Sequence, residues 1–256
     1  MSVVIFTGPT LSAAEARTVL DAEYLPPAAQ GDVYRAARNR PQVIGIIDGY
    51  FERQPSVWHK EILWAMSEGI HVFGSASMGA LRAAELADFG MEGVGAIFEM
   101  YRDGILEDDD EVAVVHGSGE FGYRAGCEAM VDIRLTLSRA VQAGVLSVST
   151  AAAIESVAKA TFYPDRNYQL LAKRAATLDV PQDELSALAN WLPEGRASQK
   201  RADALAMLHA IRARVANGLE PLRVQYAFEN SWMWHQAKEA LDAGVERPRA
   251  SSADEG

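Results

Sequence analysis

Two hydrophobic rhythms alternate along the first half of the chain. Short β-branched runs, apolar at nearly every position, predict buried strands over Val3–Thr7, Gln42–Ile47, Ile70–Phe73 and Val112–Val115. Between them, apolar residues recur every three or four positions, as one face of a helix requires. The first such helix opens at the capping box Ser12-Ala13-Ala14-Glu15 and reaches about Leu20; Asp32 caps a second, ending at Arg38. A third starts at Pro55 or Ser56 and is stopped by Gly69; a fourth follows Ser77 and ends at Gly90; a short fifth covers Gly95–Tyr101. Strands alternating with helices predict an α/β fold, a mostly parallel sheet covered by flanking helices.

After about Gly126 the strand rhythm stops. Val131–Ala143, Thr150–Ala160, Tyr168–Leu178, Gln182–Trp191, Gln199–Asn217 and Pro221–Ala243 all read as Ala- and Leu-rich helices. The expected organisation is an α/β catalytic half over 1–125, an all-helical C-terminal half over 126–246 suited to partner docking, and a flexible polar tail over 247–256.

Composition narrows the classes. With 256 residues, 49% hydrophobic and 23% charged, the chain is an ordinary globular one with a sizeable core. Its net charge of −11 argues against nucleic-acid or anionic-membrane partners, which need clustered Lys and Arg. No apolar stretch reaches a membrane span and no signal-peptide pattern opens the chain, so a cytoplasmic location is expected. The single cysteine, Cys127, excludes an intrachain disulfide and multi-cysteine zinc sites. His59, His71, His116, His209 and His235 show no metal-ligand spacing, and neither a metal nor a cofactor is expected.

Candidate chemistry gathers where the third strand meets its helix. In Gly74-Ser75-Ala76-Ser77-Met78-Gly79 a strand ends, small residues turn and a helix begins, which pushes the Ser77 hydroxyl out of the sheet beside free helix-start N–H groups. The same serine also suits a simple N-cap. Ser75, placed before the turn, is a rival nucleophile or a supporting donor. The run has Gly-x4-Gly spacing, but Ala80 and Leu81 replace the Lys and Ser or Thr of a phosphate loop, so nucleotide hydrolysis is not expected.

Lys60 stands seventeen positions upstream, one of only five lysines against nineteen arginines and the only one before Lys159. Helical spacing groups it with Val57, Leu63 and Trp64. Apolar surroundings lower an amine's pKa and fit it to take a serine's proton. The alternatives are a snorkelling side chain or one paired with Asp48. His116 ends the last predicted strand and is a further candidate at this edge. The acidic run Glu107-Asp108-Asp109-Asp110-Glu111 reads as a solvated turn, and Tyr226, Phe228, Trp232 and Trp234 as core or partner surface at helical spacing.

These motifs together resemble the TfuA-like family: Ile47-Asp48-Gly49-Tyr50-Phe51, His59-Lys60-Glu61-Ile62-Leu63, Gly74 through Leu86, Phe89-Gly90-Met91 and Asp108 through Ala113. The resemblance implies a partner of YcaO enzymes, which activate backbone amides for peptide thioamidation. It further implies hydrolysis of a thiocarboxylated sulfur-carrier protein of the ThiS type, with Ser77 and Lys60 as the matching catalytic pair. On that reading Ser77 attacks the thiocarboxylate carbon, Lys60 takes its proton, and backbone N–H groups of Met78 and of the Gly49-Tyr50 turn hold the oxyanion. Gly49 and Gly79 would border a narrow cleft for the carrier's tail, with Asp48 and Ser75 among the substrate-binding residues. A non-catalytic adaptor that docks YcaO and its peptide is the competing expectation.

Overall fold

The computed structural model describes residues 2–51 and 54–243. Five strands, β1 (Val3–Phe6), β2 (Glu23–Leu25), β3 (Val43–Ile46), β4 (His71–Ser75) and β5 (Glu92–Val94), form one sheet in the order β2-β1-β3-β4-β5, with every pairing parallel. The central strands are buried on both faces, which is why Val3-Val4-Ile5-Phe6 and Val43-Ile44 run apolar without alternation. The fold class expected from the sequence is the one found.

Two strands form that the sequence does not predict, and one predicted strand does not form. β2 and β5 are three-residue edge strands with a charged first residue, too short to carry a period of two. Val112–Val115 is not a strand: a 3-10 turn over Asp109–Glu111 leads into an irregular segment whose Val112 and Ala113 fill the core.

Helices α1 (Ala13–Arg17), α2 (Asp32–Ala37), α3 (His59–Ser67), α4 (Met78–Leu86) and α5 (Ala96–Arg102) connect or follow the strands. α1 lies on one face with Ile5 and Phe73; α2 to α5 cover the other with Phe6, Ile44, Ile46 and Val72. The second half contributes α6 (Met130–Gln142), α7 (Val148–Ala160), α8 (Tyr168–Ala175), α9 (Gln182–Gly195), α10 (Gln199–Ala216) and α11 (Trp232–Asp242). α6 to α9 share their own core around Ile133, Leu137, Ile154 and Leu188. α10 instead returns to the sheet, where Ala204, Met207, Leu208 and Ile211 pack on Ile5 and Phe73 and complete the face begun by α1.

The expected helix over Pro221–Ala243 forms only from Trp232, capped by Ser231, whose side chain accepts from the Trp234 N–H. The preceding residues run as an irregular strap across α3, held by Leu222 N–H to Gly69 O (2.9 Å) and Tyr226 Oη to Leu63 O (2.7 Å).

The acidic run is solvated at Glu107, Asp108 and Asp109, as expected, but becomes a staple at Asp110 and Glu111. Lys159 lies 2.6 Å from Asp110 and 2.9 Å from both Asp108 and Glu111; Arg134 pairs with Glu111; and Arg166, fully buried, pairs with Asp110 and gives a hydrogen bond to its carbonyl at 2.7 Å. It ties the sheet half to α6 and α7. Among the described residues no helix is long and apolar enough to cross a membrane. The polar tail over 247–256 lies outside the described residues.

Candidate active site

The strand order sets the site's location. β1 leads to α1 on one face and β3 leads to α3 on the other, so the loops after these neighbouring strands part at the carboxyl edge of the sheet. Open parallel sheets bind ligands at such a switch point. Asp48, following β3, bridges the parting: its carboxylate accepts from Gly8 N–H (2.8 Å), Thr10 N–H (3.0 Å) and Thr10 Oγ1 (2.6 Å). At 1% exposure with those donors filled, Asp48 anchors the β1–α1 loop. It is neither the partner of Lys60 nor open to substrate, which corrects both expectations.

The turn after β4 is tight. Ser77 N–H donates to Ser75 O at 2.8 Å, closing a three-residue γ-turn centred on Ala76, whose φ is +66°. A non-glycine residue in that region stores strain, of the kind found at functional turns. Ser77 then has φ −123° and ψ −124°, outside the helix, and its side chain makes no cap hydrogen bond. Among the described residues its hydroxyl has no partner at all. The N-cap account of this serine therefore loses its physical basis.

Around the turn, α4 is pressed against β3. A Cβ on Gly79 would sit 1.8 Å from Ile46 O, and one on Gly74 would sit 2.1 Å from Gly79 O, so only glycines permit this approach. Gly79 N–H reaches Ile47 O at 3.3 Å, whereas Met78 N–H, the first of the helix, has no acceptor among the described residues. Gly79 is thus a buried helix–strand contact, not the rim of a cleft. Gly49 is buried too, its Cα against the Met78 side chain.

Tyr50 N–H is committed to Ala28 O at 3.0 Å, which removes it as an oxyanion donor; Gly49 N–H lies outside that bridge. Ser75 is fully buried and its hydroxyl is unpartnered, so it is not an accessible nucleophile. His116 lies at the same edge, its ring 5.5 Å from that of Tyr50 and 5.7 Å from that of Tyr123, with Nδ1 2.9 Å from Gly117 O.

Lys60 occupies the first turn of α3, the end nearest this edge. The inward face of α3 carries Glu61, Ile62, Ala65 and Met66. Glu61 receives N–H groups from Trp58 (2.8 Å), Gly31 (2.9 Å) and Tyr34 (3.0 Å); burial raises its pKa against the pull of those bonds. Lys60 projects from the opposite side, with Leu63 and Trp64 as its spacing predicts, and its Nζ lies 4.6 Å from the centre of the Phe228 ring. Phe228 rests on Trp234, which is 1% exposed and boxed by Tyr34, Trp58 and Trp64. Ser77 and Lys60 thus belong to one edge of the molecule, and no hydrogen bond joins them.

One residue of this edge escaped the sequence. Lys200, in the first turn of α10, is 3% exposed and donates from Nζ to Val112 O at 2.8 Å. A signal was present: Lys200 shares a stripe with Asp203, Ala204 and Met207, the face that turns inward. Cys127 is buried, accepts from Val115 N–H at 3.2 Å and has its thiol pKa raised by burial, so it is no nucleophile. Among the described residues no group of His, Cys, Asp and Glu could hold a metal ion.

Among the described residues the edge offers an unbonded hydroxyl on a strained turn, a free helix-start N–H beside it, and two amines in the first turns of flanking helices. That set suits acyl transfer through an alkoxide. Residues 48–167 match the family model described as TfuA-like protein. No curated protein matches the chain.

Proposed function

This chain belongs through residues 48–167 to the TfuA-like family, consistent with a thioamidation-related role, and from that premise we propose that it hydrolyses a thiocarboxylated ThiS-type carrier and supplies the sulfide to a YcaO enzyme. Ser77 is the nucleophile. Its oxygen attacks the thiocarboxylate carbon, sulfide departs, and water cleaves the Ser77 ester, returning the carrier with an ordinary carboxylate. Met78 N–H, joined by that of Gly49, faces the charge that develops on the acyl oxygen. Lys60 takes the serine's proton once its amine exchanges the Phe228 ring for the hydroxyl. The reaction is set in the cytoplasm.

The observation that carries this reading is the Ser77 hydroxyl, without a hydrogen bond among the described residues, at a turn held in strained geometry. The test is sulfide release from thiocarboxylated carrier by the purified protein, with neither YcaO nor ATP present. Ser77→Ala and Lys60→Ala should each lose it, by roughly a hundredfold or more on the scale of general acid–base and nucleophile deletions. Wild-type rates in either variant exclude that residue.

One observation favours a second reading, a non-catalytic adaptor that docks YcaO and its peptide: Lys60 is engaged by Phe228 rather than by Ser77. A wild-type protein that releases no sulfide in the same assay, yet stimulates YcaO, selects the adaptor.

A further inference from the structure

A thiocarboxylate is an anion, and an alkoxide approaching it is a second one. Attack is therefore opposed unless a fixed positive charge receives the substrate's charge, and such charges act most strongly where water is excluded. The buried and half-buried cations of this part of the molecule are not equally available. Arg166 spends its guanidinium on Asp110 and on the carbonyls of Ala158 and Thr161. Arg82 is taken by Val57 O, Ser56 and Glu85. Lys60 faces an aromatic ring.

Lys200 differs. Of the three donors on its ammonium, Val112 O takes one, and among the described residues Nζ has no other acceptor. It lines a cavity of about 200 Å³ between the Pro9-Thr10 loop, Val114 and Cys127, well under the ~300–1,000 Å³ that houses drug-sized ligands. The other cations of that cavity, Arg196 and Arg201, already pair with Glu128 and Glu15. Two carboxylates also line the cavity: Glu128, paired with Arg196, and Asp132, whose charge attracts that of Lys200 while its oxygens accept from Ser198 Oγ (2.9 Å) and Lys200 N–H (3.1 Å), capping α10.

None of the cavity's lining residues belongs to the reacting turn, and two indirect links lead from one to the other. Thr10 is bonded to Asp48, whose neighbour Gly49 abuts Met78. Ala204, one helical turn beyond Lys200, belongs to the same apolar cluster as Ala76 at the centre of the γ-turn.

We infer that Lys200 and this cavity form the anion-receiving subsite, which takes the C-terminal carboxylate or thiocarboxylate of an acyl tail without bulky side chains. The inference rests on the hydrolase reading for its substrate class, but not for its test. Two peptides ending in Gly-Gly, one a free acid and the other a C-terminal amide, are titrated into the full-length protein and followed by calorimetry. The wild type should bind the acid at least about tenfold more tightly, the scale of a hydrogen bond to a charged group. Lys200→Met should erase that preference and Lys200→Arg should retain much of it.

Equal binding of acid and amide by the wild type overturns the subsite, as does a folded Lys200→Met that still prefers the acid. Should Lys200→Met fail to fold, Val114→Phe fills the cavity from its other wall. It should weaken the acid at least tenfold, and unchanged binding overturns the proposal. An acid preference that depends on Lys200 in a protein that releases no sulfide would leave the subsite standing and remove the hydrolase.

Discussion

At the scale of single residues, Gly79 and Ala76 set the geometry of the turn in opposite ways. Gly79→Ala drives a methyl carbon to within 1.8 Å of a main-chain oxygen that cannot rotate away. Urea unfolding should show a loss at or above the upper end of the usual overpacking range, about 3 kcal/mol. Ala76→Gly relieves a positive φ instead. Stability should stay level or rise by up to about 1 kcal/mol, whereas Ala80→Gly, inside α4, should cost about 1 kcal/mol. If both alanine variants lose the same amount, Ala76 is not strained.

At the scale of elements, the strap and α11 decide what Lys60 does. A cation–π contact of this kind is worth roughly 0.5–1 kcal/mol. If it withholds the base from Ser77, Phe228→Leu should speed sulfide release about two- to fivefold at saturating carrier, with no gain in a Lys60→Ala background. Trp234→Ala empties the aromatic box and should destabilise the protein by about 3–5 kcal/mol, measured by chemical denaturation.

The same elements mark how far the sequence could be read. The Ser77 turn was legible because strand, small residues and helix follow one another without interruption. Periodicity also put Lys60 beside Leu63 and Trp64. It could not reveal that this face is outward and roofed by a segment more than 160 residues away, since no local pattern encodes a cover. The aromatic spacing of Pro221–Ala243 fits a helix, yet Tyr226 and Phe228 meet α3 from an irregular segment. Lys200 was hidden by the Ala-rich helix that carries it, and β2 and β5 by having only three residues each.

At the scale of the whole molecule, the staple around Asp110 joins the two halves. Burial alone would raise the Asp110 carboxyl above its ordinary 3.8, but hydrogen bonds and charge from Lys159 and Arg166 outweigh it and hold the pKa below that value. A depressed carboxyl stabilises the fold above its unfolded pKa, and that contribution disappears as pH falls through the folded one. The wild-type advantage over Asp110→Asn should therefore be full at pH 7 and shrink below about pH 4, as thermal melts across that range would record. A gap that widens in acid would contradict the assignment. Asp110→Ala leaves the buried Arg166 with main-chain carbonyls as its only acceptors and should cost about 1–3 kcal/mol at neutral pH, the scale of a hydrogen bond to a charged group.

The aromatic box has an optical consequence. Three of the chain's five tryptophans, Trp58, Trp64 and Trp234, share it, and it is roofed by the same ring that rests on the Lys60 amine. Lifting that roof would wet the indoles and shift their emission to the red. If the proposed release of the Lys60 amine takes place, the indoles should report it without a label, as a red shift in a stopped-flow trace when thiocarboxylated carrier is added; an unchanged spectrum would mean that the ring stays on the amine.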